Sequence, residues 1–230
     1  MAGFPMKQRE YQVLVEERKA CSLCRGRLEN ASRIEGGIHD SDRVGPYTRW
    51  QGNLDASVVV VAQDFSDVAG FCKYRGWAGS DVKTNKYLVE LLGYAGFAVA
   101  LPEYGKPDDK LFFTNAVLCM KSGHQGGRQE SVSVSCFDNC SSFLKTTIKI
   151  IAPRLVITLG EQALRATTRA FGIRSAEPLS RYVGQPVALA AGIQLVPVYH
   201  PSPTVVNTHR CIEQMRADWR GIGQLLKQNA

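Results

Sequence analysis

Asp64, Asn115 and His200 are the side chains of this 230-residue chain best placed by type and position to do chemistry, each at the rim of an apolar, β-rich run. Asp64 lies in Ala62-Gln63-Asp64-Phe65-Ser66-Asp67, where two carboxylates and an amide follow a run of valines. A carboxylate in a strand-to-loop turn can position or activate water as a general base. The alternative is an aspartate that caps a helix or closes a turn. Asn115 both gives and accepts hydrogen bonds, which suits reading an imide edge; a turn residue is its alternative. His200 leads into Pro201-Ser202-Pro203, where two prolines stiffen the loop, so its ring can donate to a developing anion. Of the seven cysteines, Cys21 and Cys24 form C-x2-C, and Cys119, Cys136 and Cys140 follow much later. Four thiolates from such separated positions can converge on one metal centre, and spacing alone does not choose zinc over iron and sulphur. Small buried apolar side chains are the alternative fate.

The elements that must position these groups alternate in kind. Ser57–Ala62, Leu111–Leu118, Arg154–Leu159 and Gln194–Val198 read as strands, the first a continuous apolar run of the sort covered on both faces. Gln8–Lys19, Thr84–Gly96, Cys140–Ile151, Glu161–Ala170 and His209–Lys227 read as helices, with Pro153 stopping the third. Strands separated by helices predict a single-domain three-layer αβα sandwich around a central four-stranded, mainly parallel sheet. The whole chain, 1–230, is expected to form one unit, with the N-terminal helix and cysteine pair (1–50) packed on the core. In such a sheet ligands collect at the carboxyl ends of the strands, which is where Asp64, Asn115 and His200 fall. Two polar loops, Ile34–Trp50 and Lys121–Ser135, separate these elements.

Apolar residues are 44% and charged residues 21%, an ordinary globular balance that argues against a disordered or fibrous chain. No apolar run approaches a bilayer span, and Met1–Glu10 has no signal-peptide core, so the reading is cytoplasmic with no membrane partner. A net charge of +7 permits a polyanionic partner, since Lys and Arg displace counterions from phosphates; a merely soluble basic protein is equally compatible.

Taken together the blocks resemble the uracil-DNA glycosylase superfamily, closest to its iron–sulphur (family 4-like) branch, over roughly Cys21 to the C-terminus. Ala62-Gln63-Asp64-Phe65 is similar to the first motif, Gly-Gln-Asp-Pro-Tyr in one branch and Gly-Glu-Ala-Pro-Gly in the iron–sulphur branch. His200-Pro201-Ser202-Pro203 matches the second motif. Phe113–Cys119 resembles the Thr-Asn-Val-Val-x-Cys stretch, and Ile151–Gly160 resembles the third strand. The first motif departs from both branches: Ala62 replaces Gly, Phe65 replaces Pro, Ser66 replaces the Tyr that rejects the thymine methyl, and Gln63 stands where the iron–sulphur branch has Glu.

The resemblance implies a repair hydrolase that flips uracil out of DNA, excises it and leaves an abasic site. Asp64 would place the water and stabilise the cationic sugar, and His200 would stabilise the departing uracil anion. Asn115 would read the base edge, Gln63 and Phe65 would line the base site, and Trp77, in the stretch matching the family's Pro-Phe-x-Gly, would stack on the base. Ser202, Pro203, Thr204 and Val205 would press into the minor groove, with His209 and Arg210 near phosphates. Arg210 as a cap of the last helix is the alternative. A [4Fe-4S] cluster is implied on Cys21, Cys24, Cys119 and Cys140, with Cys136 as the other choice of fourth ligand and zinc as the other metal. Cys72 and Cys211 read as non-ligands. The partner would be DNA containing uracil or abasic sites, engaged by a monomer. The rival readings are a non-catalytic binder of such DNA and a glycosylase for another mismatched or deaminated base.

Overall fold

The computed structural model describes residues 6–45, 52–101, 109–125, 128–129, 131–173 and 177–228. Parts of the two polar loops, 46–51 and residues 126, 127 and 130, therefore lie outside the described residues.

Helix α1 (Met6–Ala20) buries Tyr11, Leu14, Val15 and Arg18, the one-face spacing of an amphipathic helix. A short strand β1 (Leu28–Glu29) precedes the first long one, β2 (Val58–Ala62), and helices α2 (Val68–Lys73) and α3 (Lys83–Tyr94) follow. Next come β3 (Leu111–Asn115), β4 (Met120–Lys121), β5 (His124–Gln125), β6 (Arg128–Gln129) and helix α4 (Val134–Ile151). Strand β7 (Leu155–Leu159), helix α5 (Glu161–Ala170), strands β8 (Val187–Ala190) and β9 (Ile193–Val198), and helices α6 (Pro203–Thr208) and α7 (Ile212–Gln228) complete the chain.

The central sheet has the order β3-β2-β7-β9-β8. The four expected strands are all present and parallel, paired in register Val60↔Phe113, Val60↔Ile157 and Ile157↔Val196. A fifth strand, β8, joins antiparallel at the edge with a bulge between Ala188 and Ala190. It escapes a sequence reading because Leu189 is its only buried residue and its other positions are small or exposed. Alternate residues of the sheet feed two cores, as the period of two requires. Val59, Val61, Phe112, Val156 and Leu195 meet residues of α1, α4 and α5. Val58, Val60, Phe113, Ile157 and Val196 meet residues of α3 and α7, with Trp219 fully enclosed. This is the three-layer αβα arrangement.

Several boundaries differ from the sequence reading, the last helix among them, which begins at Ile212 rather than His209. Strand β3 stops at Asn115 because the next two amides turn back, Ala116 N–H to the Ala62 carbonyl (2.8 Å) and Val117 N–H to that of Gln63 (3.0 Å). Helix α4 begins at Val134, six residues before Cys140, so Cys136 is helical too. The stretch after His200 is not an extended loop: Pro203 occupies the first turn of α6, where its missing N–H costs nothing.

The strand order reverses between β2 and β7. From β2 the chain builds outward to β3, then returns across the sheet to β7 and continues to β9 on the other side. The carboxyl ends of β2 and β7 thus flank the crevice that open α/β sheets use for ligands.

Candidate active site

A cavity of about 830 Å³ opens at that reversal, within the size range of small-ligand pockets. Gln63, Asp64, Phe65 and Ser66 line it from the end of β2, Thr114 and Asn115 from the end of β3, Gly160 from β7, and Tyr199 and His200 from β9. The register pairs Ala62 with Asn115, so the first motif and the amide arrive side by side.

Asp64 is not a helix cap. The cap of α2 is Asp67, whose carboxylate accepts from Gly70 N–H at 2.7 Å. Asp64 instead lines the cleft, its side chain only 9% exposed. Gln63 Nε2 donates to its Oδ2 at 2.6 Å, and Lys121 Nζ lies 2.9 Å from its Oδ1. Lys121 is a cleft residue that the sequence does not disclose. Its side chain is 6% exposed, and its backbone is locked on both sides. It pairs with Leu28 of β1, bridges to Asp67, and donates N–H to the Ser66 carbonyl at 3.1 Å. No motif marks it, because a lysine in a polar loop reads as solvated until β1 and the Ser66–Asp67 strap close around it.

Asn115 is buried at the last position of β3. His200 stands across the cleft at the end of β9, partly buried. Loss of surrounding water holds its pKa below the ordinary histidine value; the Asp64 carboxylate pulls it back up and the Lys121 ammonium pushes it down. The ring is therefore neutral at neutral pH, a donor without a full charge. Gly160 makes room for it. A Cβ there would sit 3.2 Å from His200 Cβ, and the backbone has φ +88°, which L side chains rarely adopt.

Trp77, the expected stacking aromatic, is not among the residues lining the main cleft. Trp77 lines a separate shallow recess with Lys73, Tyr74 and Arg75, whereas Tyr74 also lines the main cleft. Helix α2 ends at Lys73, and the left-handed Arg75 (φ 49°) and Gly76 (φ 74°) then swing the chain, so the earlier aromatic faces the cleft. The Tyr74 ring lies against the bare backbone of Gly79, where a Cβ would come within 2.5 Å of it, and its hydroxyl donates to Asp81 at 2.6 Å.

At the mouth, Ser202 caps α6 by accepting from Val205 N–H, and Ser202, Thr204, Val205 and His209 line the cleft while Pro203 does not. Arg210 turns away to form a two-pronged pair with Asp218 of α7, both contacts 2.6 Å, and stacks over Tyr199. It braces the last helix, the alternative left open for it.

Against the buried face of α4, five cysteines gather. Asn30 Nδ2 donates to the carbonyls of Arg18 and Cys21 (2.8 and 2.9 Å), fixing the chain that carries Cys21 and Cys24. Cys136 and Cys140 lie one turn apart on the buried face of α4, and Cys119 follows β3. Burial pushes the Cys140 thiol up to about 12, and Cys24, Cys21 and Cys136 add to the rise. Burial, with Cys140, Cys24 and Cys21, pushes Cys119 up as well. Cys24 is raised by burial and by a hydrogen bond with Cys136. Among the described residues, no three such groups stand close enough as placed to hold a metal ion. The donor set is nonetheless the soft, all-sulphur kind that suits iron–sulphur or zinc. Both choices of fourth ligand remain in the gathering. Cys72 and Cys211 lie outside the buried group.

A mainly parallel sheet sandwiched by helices, with a carboxylate, an amide and an imidazole facing one cleft at the strand-order reversal, defines an α/β protein with a ligand cleft at its switch point. The chain belongs to the uracil DNA glycosylase superfamily, whose family model matches residues 50–220. It is 30% identical over 176 residues to the type-5 uracil-DNA glycosylase of Pyrobaculum aerophilum, covering 75% of this chain and 73% of the relative. It is 24% identical over 202 residues to the type-4 uracil-DNA glycosylase of Thermotoga maritima, covering 86% and 85%. The likeness thus extends to both types.

Proposed function

We propose that the protein is a base-excision repair glycosylase that flips uracil out of DNA and hydrolyses its bond to deoxyribose, leaving an abasic site. The observation that carries this reading is the meeting of Asp64, Asn115 and His200 around one cleft in a chain of this superfamily. Asp64 places the attacking water and stabilises the positive charge that develops on the sugar. The neutral His200 ring donates to the uracil oxygen that becomes negative as the bond breaks. Asn115 reads the imide edge, which cytosine, with its exocyclic amine, presents in the opposite sense. Gln63 orients Asp64, and Phe65 and Tyr74 supply the apolar walls; Tyr74 takes the stacking role first considered for Trp77.

The first turn of α6, with Ser202, Pro203, Thr204 and Val205, presses toward the gap left by the flipped nucleotide, an apolar wedge of the kind that offsets unstacking. His209 meets the phosphate backbone, while Arg210 holds α7 beneath it. The protein acts on DNA as a monomer in the cytoplasm, and none of its described helices is long and apolar enough to cross a membrane.

Cys21, Cys24, Cys119 and Cys140, or Cys136 in place of the last, would hold a [4Fe-4S] cluster, with zinc as the other occupant. The group supplies a cross-link between the N-terminal segment, the turn after β3 and α4; base excision needs no electron from it. A brown, iron- and sulphide-containing preparation supports iron–sulphur, and a colourless one with one zinc per chain supports the other.

A wider base range is favoured by one feature: Ser66, a small side chain, lines the cleft where a bulky tyrosine would bar the thymine methyl. The test of the whole reading is a uracil oligonucleotide beside a thymine-mismatch control, with abasic sites cleaved by alkali and resolved on a gel. Excision is expected to fall about 10²–10⁴-fold in Asp64→Asn and about 10²–10³-fold in His200→Ala. An inactive wild type that still binds the uracil oligonucleotide overturns hydrolysis in favour of a binding module.

A further inference from the structure

We propose that Lys121 gives the site a second activity: it captures the aldehyde of the abasic product as an imine and cuts the strand by β-elimination. Three features of the structure lead there. Lys121 is a buried amine lining the cleft, its side chain 6% exposed, and pairing with Asp64 is what makes its burial as a cation tolerable. Its Nζ stands 2.9 Å from Asp64 Oδ1, on the carboxylate that faces the sugar if uracil is excised here. Its backbone is clamped between Leu28 and the Ser66–Asp67 strap, so the amine is presented from a fixed platform. A lysine needed only to balance charge could stand anywhere near Asp64; this one lines the cavity itself.

Excision leaves deoxyribose in equilibrium with its open-chain aldehyde, an electrophile at C1′. The Lys121 ammonium passes a proton to Asp64, and the freed Nζ lone pair adds to C1′. One proton then moves from nitrogen to the former carbonyl oxygen. Asp64 returns its proton to that oxygen, which departs as water and leaves a protonated imine. Asp64, again a carboxylate, removes a C2′ proton. The electron pair moves through the enamine to break the C3′–O bond, and the 3′ phosphate leaves as an anion. Water hydrolyses the unsaturated imine and restores the amine. No oxidant, reductant or metal enters.

The inference rests on the reading that an abasic deoxyribose occupies the cleft, so its test uses DNA that already carries an abasic site. Wild-type protein is incubated with that oligonucleotide and sodium borohydride, whose hydride reduces an imine to a stable secondary amine. The expected result is a covalent protein–DNA band in wild type, with the adduct on the Lys121 peptide by mass spectrometry. The band is expected to be lost in Lys121→Ala and in Lys121→Arg, the second of which keeps a cation beside Asp64 but offers no comparable amine. No band in wild type overturns the proposal, as does an adduct on any other residue or a band that survives both substitutions. Base excision is scored separately on the uracil oligonucleotide. Excision without trapping leaves the glycosylase standing and removes the lyase; trapping without excision does the reverse.

Discussion

His200 shows how one residue's surroundings set both its chemistry and its contribution to stability. Its folded pKa is depressed by desolvation, so the unfolded chain binds the proton more readily than the native one. The stability held by keeping the ring neutral is therefore fully present above the unfolded value of about 6.5 and is lost as pH falls through the window below it. Thermal unfolding followed between about pH 7 and pH 5 should show a steeper loss of Tm in wild type than in His200→Gln, which has no proton to gain; equal slopes would contradict the placement. Asp64 and Lys121 belong to the same local logic. Either charge alone in this cleft would be poorly solvated, and the pair makes both tolerable. Gly160 is the third member at this scale. Gly160→Ala should cost about 1–3 kcal/mol from its backbone conformation and displace His200, so excision should fall further than Tm would suggest; single-turnover rates beside urea unfolding separate the two effects.

At the scale of elements, the α2 terminus and α1 do most of the positioning outside the sheet. The turn through Arg75 and Gly76 decides which aromatic lines the cleft. Tyr74→Ala is expected to weaken excision about tenfold, in line with a stacking loss of about 1–3 kcal/mol per base, and Trp77→Ala to leave it near wild type; steady-state kinetics on the uracil oligonucleotide would reverse that order if Trp77 were the stacking residue. Helix α1 is tied down by a buried pair. Arg18 Nη1 meets the two Asp40 oxygens at 2.8 and 2.9 Å, with side chains 2% and 5% exposed. Arg18 Nη2 also donates to the carbonyls of Ser41 and Arg43. Arg18→Ala strands a buried carboxylate and should cost about 3–5 kcal/mol, read as a lower urea midpoint with unchanged slope.

At the scale of the whole molecule, a net charge of +7 predicts that affinity for the proposed DNA substrate depends on ionic strength. Affinity should fall linearly on a log–log plot against salt, with a slope of about −0.9 per phosphate neutralised on duplex DNA. Fluorescence anisotropy measures that slope, and a flat plot would contradict binding through the phosphate backbone. The cysteines act at the same scale. They draw together residues from both ends of the first 140 positions, so removal of the proposed metal centre should loosen α1 from α4 before the sheet yields. Hydrogen exchange of α1 amides after chelation would show it.

The parallel strands, the helices between them and the three side chains at the strands' carboxyl ends were legible along the chain. Those features are local: an apolar run of valines, a helical period and a proline-flanked histidine declare themselves within a dozen residues. Even the gathering of cysteines was foreseeable in kind. Only the tertiary structure decided that Asp67 and not Asp64 caps α2, because both carboxylates follow the same strand and only the direction of the turn tells them apart. It set Tyr74 rather than Trp77 on the main cleft, through two left-handed residues that composition does not announce. It brought Lys121 to Asp64, since the pairing depends on β1 closing over β4 from more than ninety residues away. Adding Cys136 to the reach of Cys140 required α4 to start six residues early. Each of these turns on non-local packing, where the partner that fixes a side chain lies too far along the chain for spacing to reveal it.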